Sequence, residues 1–275
     1  MAHARGKAIV LGEPVPAIEK VAAQLGKRLG AEHPLPSFKH LPKQTRDAAR
    51  RFWSERAWSE YAALPVVSQI ALRMAAESAS LAELGGATAI LQDEALHTAL
   101  SVNVAEAMGG YISDIPDELS FDALALTGPI ELPRAVWLAV GCCVGETVSR
   151  ALIQARLART TEPHLHALVA RTLRDENLHV AFGWAAARSA ISGLDARSKR
   201  VLADQSRAAL SGMYRGPATS GLSGAFGRAE RKLRQRVADA GLGCCAPEEE
   251  DAAVAACVQN FIAPNFRKLG VPFEP

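Results

Sequence analysis

Two near-identical pentapeptides carry the residues that could do chemistry in this chain: Asp93-Glu94-Ala95-Leu96-His97 and Asp175-Glu176-Asn177-Leu178-His179. In each pentapeptide a glutamate and a histidine stand three residues apart, which places both side chains on one face of a helix. A carboxylate and an imidazole so arranged can bind a metal ion. One copy would be a weak signal. Two copies, each with a preceding aspartate and each inside an apolar helical pattern, predict a metal site.

A pair of metal ions in a four-helix bundle needs one more carboxylate from each helix that lacks a pentapeptide. In the third predicted helix, Glu146 is the candidate that lies well inside the helical pattern. Glu146 and Glu176 are 30 residues apart, and their midpoint, residue 161, falls in the turn predicted at 160–163. An antiparallel hairpin therefore brings these two side chains to one level.

The first predicted helix offers two candidates for the remaining carboxylate. Glu60 lies 34 residues before Glu94, with its midpoint at residue 77, and a turn is predicted at 77–80, before a Ser80–Glu83 capping box. If the turn lies at Gly85-Gly86 instead, the partner of Glu94 is Glu77. We favour Glu60 because both hairpins then follow one geometric rule, and Glu77 remains the alternative.

Four long helices must position these side chains. The apolar periodicity predicts helices over about 45–76, 80–108, 133–159 and 163–192, with a crossover connection at 111–132 between the two hairpins. Pro65 lies inside the first helix and is expected to kink or split it.

Extensions flank this core on both sides. We predict an N-terminal arm at 1–44 with one helix at about 17–29, a di-metal core at 45–192, and a C-terminal helical extension at 193–275 packed on the core. Within the extension, helices are predicted at about 196–211 and 248–261, with a glycine-rich loop at 212–227 and a basic helical stretch after it.

Composition restricts the class of protein. An apolar fraction of 49% with only 5% aromatic residues favours an all-α fold, and a net charge of +2 gives no general drive toward nucleic acid or anionic membranes. The five cysteines form no Cys-x-x-Cys pair, which argues against a disulfide framework and suits a reducing cytosol. No uninterrupted apolar run is long enough to span a bilayer. We expect a cytoplasmic protein without a membrane or nucleic-acid partner.

The order Glu60, Asp93-Glu94-x-x-His97, Glu146, Asp175-Glu176-x-x-His179 resembles the ferritin-like di-iron carboxylate superfamily over roughly residues 53–190. The resemblance implies a ferritin-like four-helix bundle of two antiparallel hairpins joined by a crossover, here with extra N- and C-terminal helices. It also implies the ligand assignment: Glu60 and His97 for one iron, Glu146 and His179 for the other, with Glu94 and Glu176 bridging.

By the same resemblance, Asp93 and Asp175 are acceptors that orient the ligand histidines. A carboxylate that accepts the second N–H of an imidazole fixes its tautomer and raises its basicity. Arg150, four residues after Glu146, is predicted to be a charge partner for an acid in or near the site. Cys142, four residues before Glu146, is predicted to face the site as a pocket wall.

The glycines beside Cys142 and Cys143, Gly141 and Gly145, have two interpretations. They either leave room near the metals for dioxygen or a substrate, or allow close packing of the third helix. Both remain open from the sequence.

A carboxylate-rich, imidazole-poor ligand set suits iron or manganese, because anionic oxygens stabilise high oxidation states. We therefore expect two iron ions, with Mn/Fe or Mn/Mn open, in an oxidoreductase that uses dioxygen to hydroxylate, N-oxygenate or desaturate an organic substrate. The expected partners are a small-molecule substrate and an external reductase or ferredoxin, with a homodimer left open. The alternatives are a ferroxidase or manganese oxidase, and a non-catalytic ferritin-like metal-binding protein.

Overall fold

Seven helices form the part of the chain that this computed structural model describes, residues 35–113, 134–213 and 228–274. They are α1 (Lys43–Ala76), α2 (Leu81–Ala107), α3 (Arg134–Arg159), α4 (Pro163–Ile191), α5 (Ala196–Met213), α6 (Arg228–Asp239) and α7, which comprises Pro247–Cys257, Val258–Ile262 and Ala263–Lys268. These residues contain no β-strand, so the all-α prediction is confirmed. The predicted helix at 17–29 lies outside the described residues, as do most of the crossover and of the glycine-rich loop.

The turn between α1 and α2 lies where the capping pattern predicts it. The Ser80 hydroxyl accepts a hydrogen bond from the Glu83 N–H at 3.2 Å, and the Glu83 carboxylate accepts one from the Ser80 N–H at 2.9 Å. Gly85 and Gly86 are helical instead. A Cβ at Gly86 would lie 2.2 Å from the Phe182 ring, so this glycine allows α4 to approach α2 closely.

Helices α1 and α3 run antiparallel. At the end of α1, the Glu77 carboxylate accepts a hydrogen bond at 2.9 Å from the N–H of Arg134, the first residue of α3. Further along, a Cβ at Gly141 would lie 2.9 Å from Val66 and 3.0 Å from Ile70. Gly141 therefore allows close helix packing, which is one of the two interpretations of the glycines on α3.

Two prolines lie inside helices without ending them. Helix α1 continues through Pro65 without splitting, because Ala62, Val66 and Val67 keep the same face buried on both sides of it. Helix α7 does not end at Phe261. A π-helical turn leads into Ala263–Lys268, whose first turn contains Pro264.

The apolar core consists of two clusters at opposite ends of the bundle. The Trp137 cluster includes Ile70, Met74, Trp137, Leu138 and Ile191. The Phe52 cluster includes Phe38, Phe52, Leu100, Met108 and Leu165. Between them, at mid-bundle, lies a layer of buried carboxylates and imidazoles.

Buried ion pairs attach α6 and α7 to the core. Arg156 on α3 donates to one oxygen of Glu250 on α7, from Nε at 3.0 Å and from Nη2 at 2.8 Å. Arg234 on α6 donates to Glu55 on α1 at 2.8 Å. Both guanidinium groups lie 5.5 Å from the centroid of the Phe52 ring. The boundaries of the three predicted regions remain a prediction.

Helix α3 is the one described helix long and apolar enough to cross a membrane, with a mean hydropathy of 1.5 in its most apolar window. Of that window, 72% is buried inside the bundle, as in the core helix of a globular protein.

Candidate metal centre

The structure brings all six predicted ligands together in the layer between the two apolar clusters. Their donor atoms form two overlapping groups, and within each group these atoms lie within 4.8 Å of one another. The first group is Glu60, Glu94, His97 and Glu176, and the second is Glu94, Glu146, Glu176 and His179. The two shared residues are the predicted bridging glutamates. The two groups divide the six residues as the resemblance implies. The role of these residues as metal ligands remains a prediction.

The geometry distinguishes between the two candidates on α1. Glu60 is buried and belongs to the first donor group. Glu77 lies at the end of α1, where its half-exposed side chain forms an ion pair with Arg134 at 3.4 Å. Glu77 is therefore too far along the helix to join the cluster.

The two aspartates contact the histidines crosswise. Asp175 Oδ2 lies 3.2 Å from His97 Nε2, and Asp93 Oδ2 lies 3.1 Å from His179 Nε2. Each aspartate thus contacts the histidine of the other pentapeptide. A carboxylate at Nε2 holds the proton there and leaves Nδ1 with a free lone pair. His179 Nδ1 points into the cluster, 3.4 Å from the nearest oxygens of both Glu94 and Glu146.

Several buried polar atoms of the cluster lack a hydrogen-bond partner. They are His97 Nδ1, His179 Nδ1 and Glu176 Oε2. An unsatisfied buried polar atom costs about 1–3 kcal/mol, so three of them at one place indicate that the cluster is built to bind something else. Four carboxylates and two imidazole lone pairs are the donors that iron and manganese prefer. The residues present therefore fit a pair of divalent cations.

The electrostatics of the cluster also favour cations. Burial raises the pKa of Glu146 well above its usual value, and the charges of Glu94 and Glu176 raise it further. Burial disfavours the charged form of Glu176 too, but hydrogen bonding and attraction from His179, aided by His97, hold the pKa of Glu176 at about 2. Although burial opposes it, the neighbouring carboxylates of Asp93 and of the cluster glutamates raise the pKa of His179 well above its usual value. The carboxylates need positive charge at their centre to be ionised together.

Arg150 does not have its predicted contact. Its guanidinium carbon lies 4.7 Å from the centroid of the Phe261 ring on α7, and within the described part of the chain it forms no ion pair with an acid of the site. The arginine at the cluster is Arg56, one helical turn before Glu60, which forms an ion pair with Glu60. Burial, aided by the charge of Arg156, lowers the pKa of Arg56 to about 9. The i,i+4 spacing of Arg56 and Glu60 was the sequence signal for this contact.

Cys142 is buried between α3 and α4, where a Cβ at Gly183 would lie 2.3 Å from the Cys142 Cβ. Burial raises the pKa of its thiol, and the charge of Glu146 raises it further. Its role as a pocket wall remains a prediction. Ser149, which the sequence did not indicate, donates a hydrogen bond to Glu176 at 3.0 Å.

Helix α3 reaches the cluster through a π-helical segment, Leu138–Glu146, which ends at the predicted ligand itself. The i→i+5 hydrogen bonding of such a segment changes the direction of the side chains along it, and π-helical turns are frequent at functional sites. Nothing in the sequence pattern distinguished this segment from an α-helix.

Comparison with known proteins concerns the fold. No protein-family model matches the chain, and no curated protein matches it. A solved Synechococcus structure described as "Protein 19 with aldehyde deformylating oxidase activity" aligns with a TM-score of 0.55, covering 83% of this chain and 98% of that one. This chain has a ferritin-like fold. Sequence identity with that structure is 16%, so the likeness concerns architecture alone. Within the ferritin-like bundle, the buried carboxylate and histidine cluster fits the di-iron carboxylate superfamily.

Proposed function

We propose that this protein is a non-haem di-iron oxidoreductase that uses dioxygen to oxidise a small organic substrate. The observation that carries the proposal is the pair of overlapping donor groups that share Glu94 and Glu176. The similar Synechococcus protein has aldehyde deformylating oxidase activity, which makes aldehydes the first substrate class to test. Hydroxylation, N-oxygenation and desaturation are the outcomes we consider.

Each residue of the cluster has a role in this proposal. Glu60 with His97, and Glu146 with His179, would hold one iron each, and the other two glutamates would bridge them. The bound iron pair would supply the activation of dioxygen. Asp93 and Asp175 hold a proton at Nε2 of the histidines, which would leave both Nδ1 lone pairs free to bind iron.

The surroundings of the cluster suit oxidation chemistry. All six donors are buried, and the Trp137 and Phe52 clusters exclude water from both ends of the layer. Electrons come from an external reductase or ferredoxin in this proposal, because the sequence contains no flavin or nicotinamide fingerprint. A cytoplasmic location is part of the proposal and rests on five free, buried cysteines.

Purified full-length protein from iron-supplemented cells provides the test. We expect about two irons per chain by elemental analysis, which also distinguishes iron from manganese. Incubation with a chemical reductant, ¹⁸O₂ and a panel of aldehydes, amines and alkyl substrates should give an oxidised product by mass spectrometry. A Glu176→Ala variant should lose both the metal and the product.

Two results would contradict the proposal in different ways. Substoichiometric metal that Glu176→Ala leaves unchanged would exclude a di-metal site. Oxidation of many equivalents of Fe(II) with retention of ferric mineral, and no organic product, would identify a ferroxidase instead.

A further inference from the structure

Arg56 lies one helical turn from Glu60, and Arg150 lies one helical turn from Glu146, on two antiparallel helices. Arg56 precedes Glu60 by four residues on α1, and Arg150 follows Glu146 by four residues on α3. Since α1 and α3 run in opposite directions, both arginines lie about one turn, roughly 6 Å, from their glutamate and toward the same end of the bundle.

The two side chains nevertheless make different contacts. Arg56 is largely buried and forms an ion pair with one carboxylate oxygen of Glu60. Arg150 turns away to the Phe261 ring, and the contact of Glu146 within the cluster is His179 Nδ1 at 3.4 Å. The outer glutamate of one donor group is therefore paired with an arginine, and in the described part of the chain that of the other group is not.

Several neighbouring charges act on the Arg56 guanidinium. The charge of Arg156 repels Arg56, and Arg156 itself is held by two hydrogen bonds to Glu250. The charges of Glu94 and Glu176 attract Arg56. The ion pair with Glu60 and the attraction of the two other glutamates thus hold this guanidinium at the cluster.

We propose that the two metal positions have unequal affinities, and that Arg56 makes the position of Glu60 and His97 the weaker one. A metal ion there competes with the guanidinium for Glu60 and meets a fixed positive charge in a buried environment, where such repulsion is strong. The position of Glu146 and His179 lacks that competitor and fills first. This inference rests on the di-metal site of the proposed function.

Titration of the metal-free full-length protein with Co(II) alone tests the inference, followed by visible absorption and calorimetry. We expect two binding steps whose dissociation constants differ by at least about tenfold, equivalent to about 1.4 kcal/mol. Arg56→Met should tighten the weaker step and bring the two constants within about threefold of each other. Arg150→Met is the matched control, and it should leave both steps unchanged.

Two ligand variants assign the steps to positions. Glu60→Gln should keep the tight step and lose the weak one, whereas Glu146→Gln should lose the tight step. Arg56→Lys retains the positive charge, so the difference between the two dissociation constants should remain. This variant supplies a second test if Arg56→Met does not fold.

Three results would overturn the inference: equal steps in the unsubstituted protein, a gap that persists in Arg56→Met, or loss of the tight step in Glu60→Gln. Two equal steps would leave the di-iron proposal standing. Less than one cobalt per chain would contradict that proposal as well.

Discussion

His97 Nε2 lies 3.2 Å from Asp175 Oδ2, a carboxylate that belongs to the other pentapeptide and to the other hairpin. The reciprocal contact joins His179 to Asp93 at 3.1 Å. Neither pentapeptide can orient its own histidine, so both imidazoles are positioned only when α2 and α4 pack in the correct register. The repeated sequence therefore encodes one interdependent site rather than two copies of a simple one.

Replacing Asp175 with asparagine should weaken metal binding at the position of His97. An amide is a weaker acceptor than a carboxylate and can present its NH₂ group to the ring, so the histidine loses its preferred tautomer. We expect a 10- to 100-fold loss of Fe(II) affinity, in line with about that effect for partners of ligand histidines in other proteins. Anaerobic Fe(II) titration measures it. Asp47→Asn, an exposed acid paired with Lys43, should change nothing, and equal affinity in both variants would contradict the assigned role.

Glu60→Ala and Glu77→Ala form a matched pair on one helix. Removal of Glu60 takes away an outer ligand, so iron content should fall from about two per chain to about one. Removal of Glu77 breaks an ion pair with the Arg134 side chain and a hydrogen bond from the Arg134 N–H, both away from the cluster, so about two irons should remain. Elemental analysis of both proteins measures their iron content. Loss of iron from the Glu77 variant alone would show that Glu77, and not Glu60, is the ligand.

Arg156→Met should destabilise the folded chain strongly. It leaves the Glu250 carboxylate fully buried, with Arg234 at 3.8 Å as the remaining cation, and loss of one partner of a buried ion pair costs about 3–5 kcal/mol. Arg159→Met breaks the ion pair with Glu249, in which both side chains are more than 40% exposed, and should cost at most about 1 kcal/mol. Urea unfolding gives both values. Similar values would show that the buried pair does not hold α7 to the core.

The adjacent glycines of α2 should respond to alanine in opposite directions. A Cβ at Gly85 meets nothing within 4 Å, so Gly85→Ala should stabilise the protein by about 0.5–1 kcal/mol through helix propensity. A Cβ at Gly86 meets the Phe182 ring, and Gly86→Ala should destabilise by about 1–3 kcal/mol. Denaturant midpoints of the two variants measure the difference, and stabilisation by both would mean that Phe182 moves aside freely.

The sequence predicted the level of each cluster residue along the bundle because that level depends on local signals. The spacing of Glu94 and His97 defines one helix face, and the Ser80–Glu83 capping box locates the turn that brings Glu60 opposite Glu94. Each of these signals lies within a few residues along the chain. The axial rotation of α2 against α4 depends on packing of distant segments, so the crosswise aspartate contacts could not be predicted from spacing.

The two arginines are a second case in which spacing along the sequence did not predict a contact. Arg56 and Arg150 have the same spacing from a predicted ligand, and the sequence analysis selected Arg150. Its direction is decided by Phe261, more than a hundred residues away on α7, in a segment where a π-helical turn also overrides the helix end predicted before Pro264. No local pattern contains that information.

The Trp137 cluster and the Phe52 cluster are separated by the layer that contains Glu94 and Glu176, so apolar packing does not run continuously along the bundle. The two ends are coupled across this layer largely by charge. An ion that binds only the folded chain adds its binding free energy to both ends at once, and the gain increases with the concentration of free ion. Under the di-iron proposal, the iron supply of the cell would therefore govern the lifetime of the folded chain, and iron starvation would expose it to proteolysis.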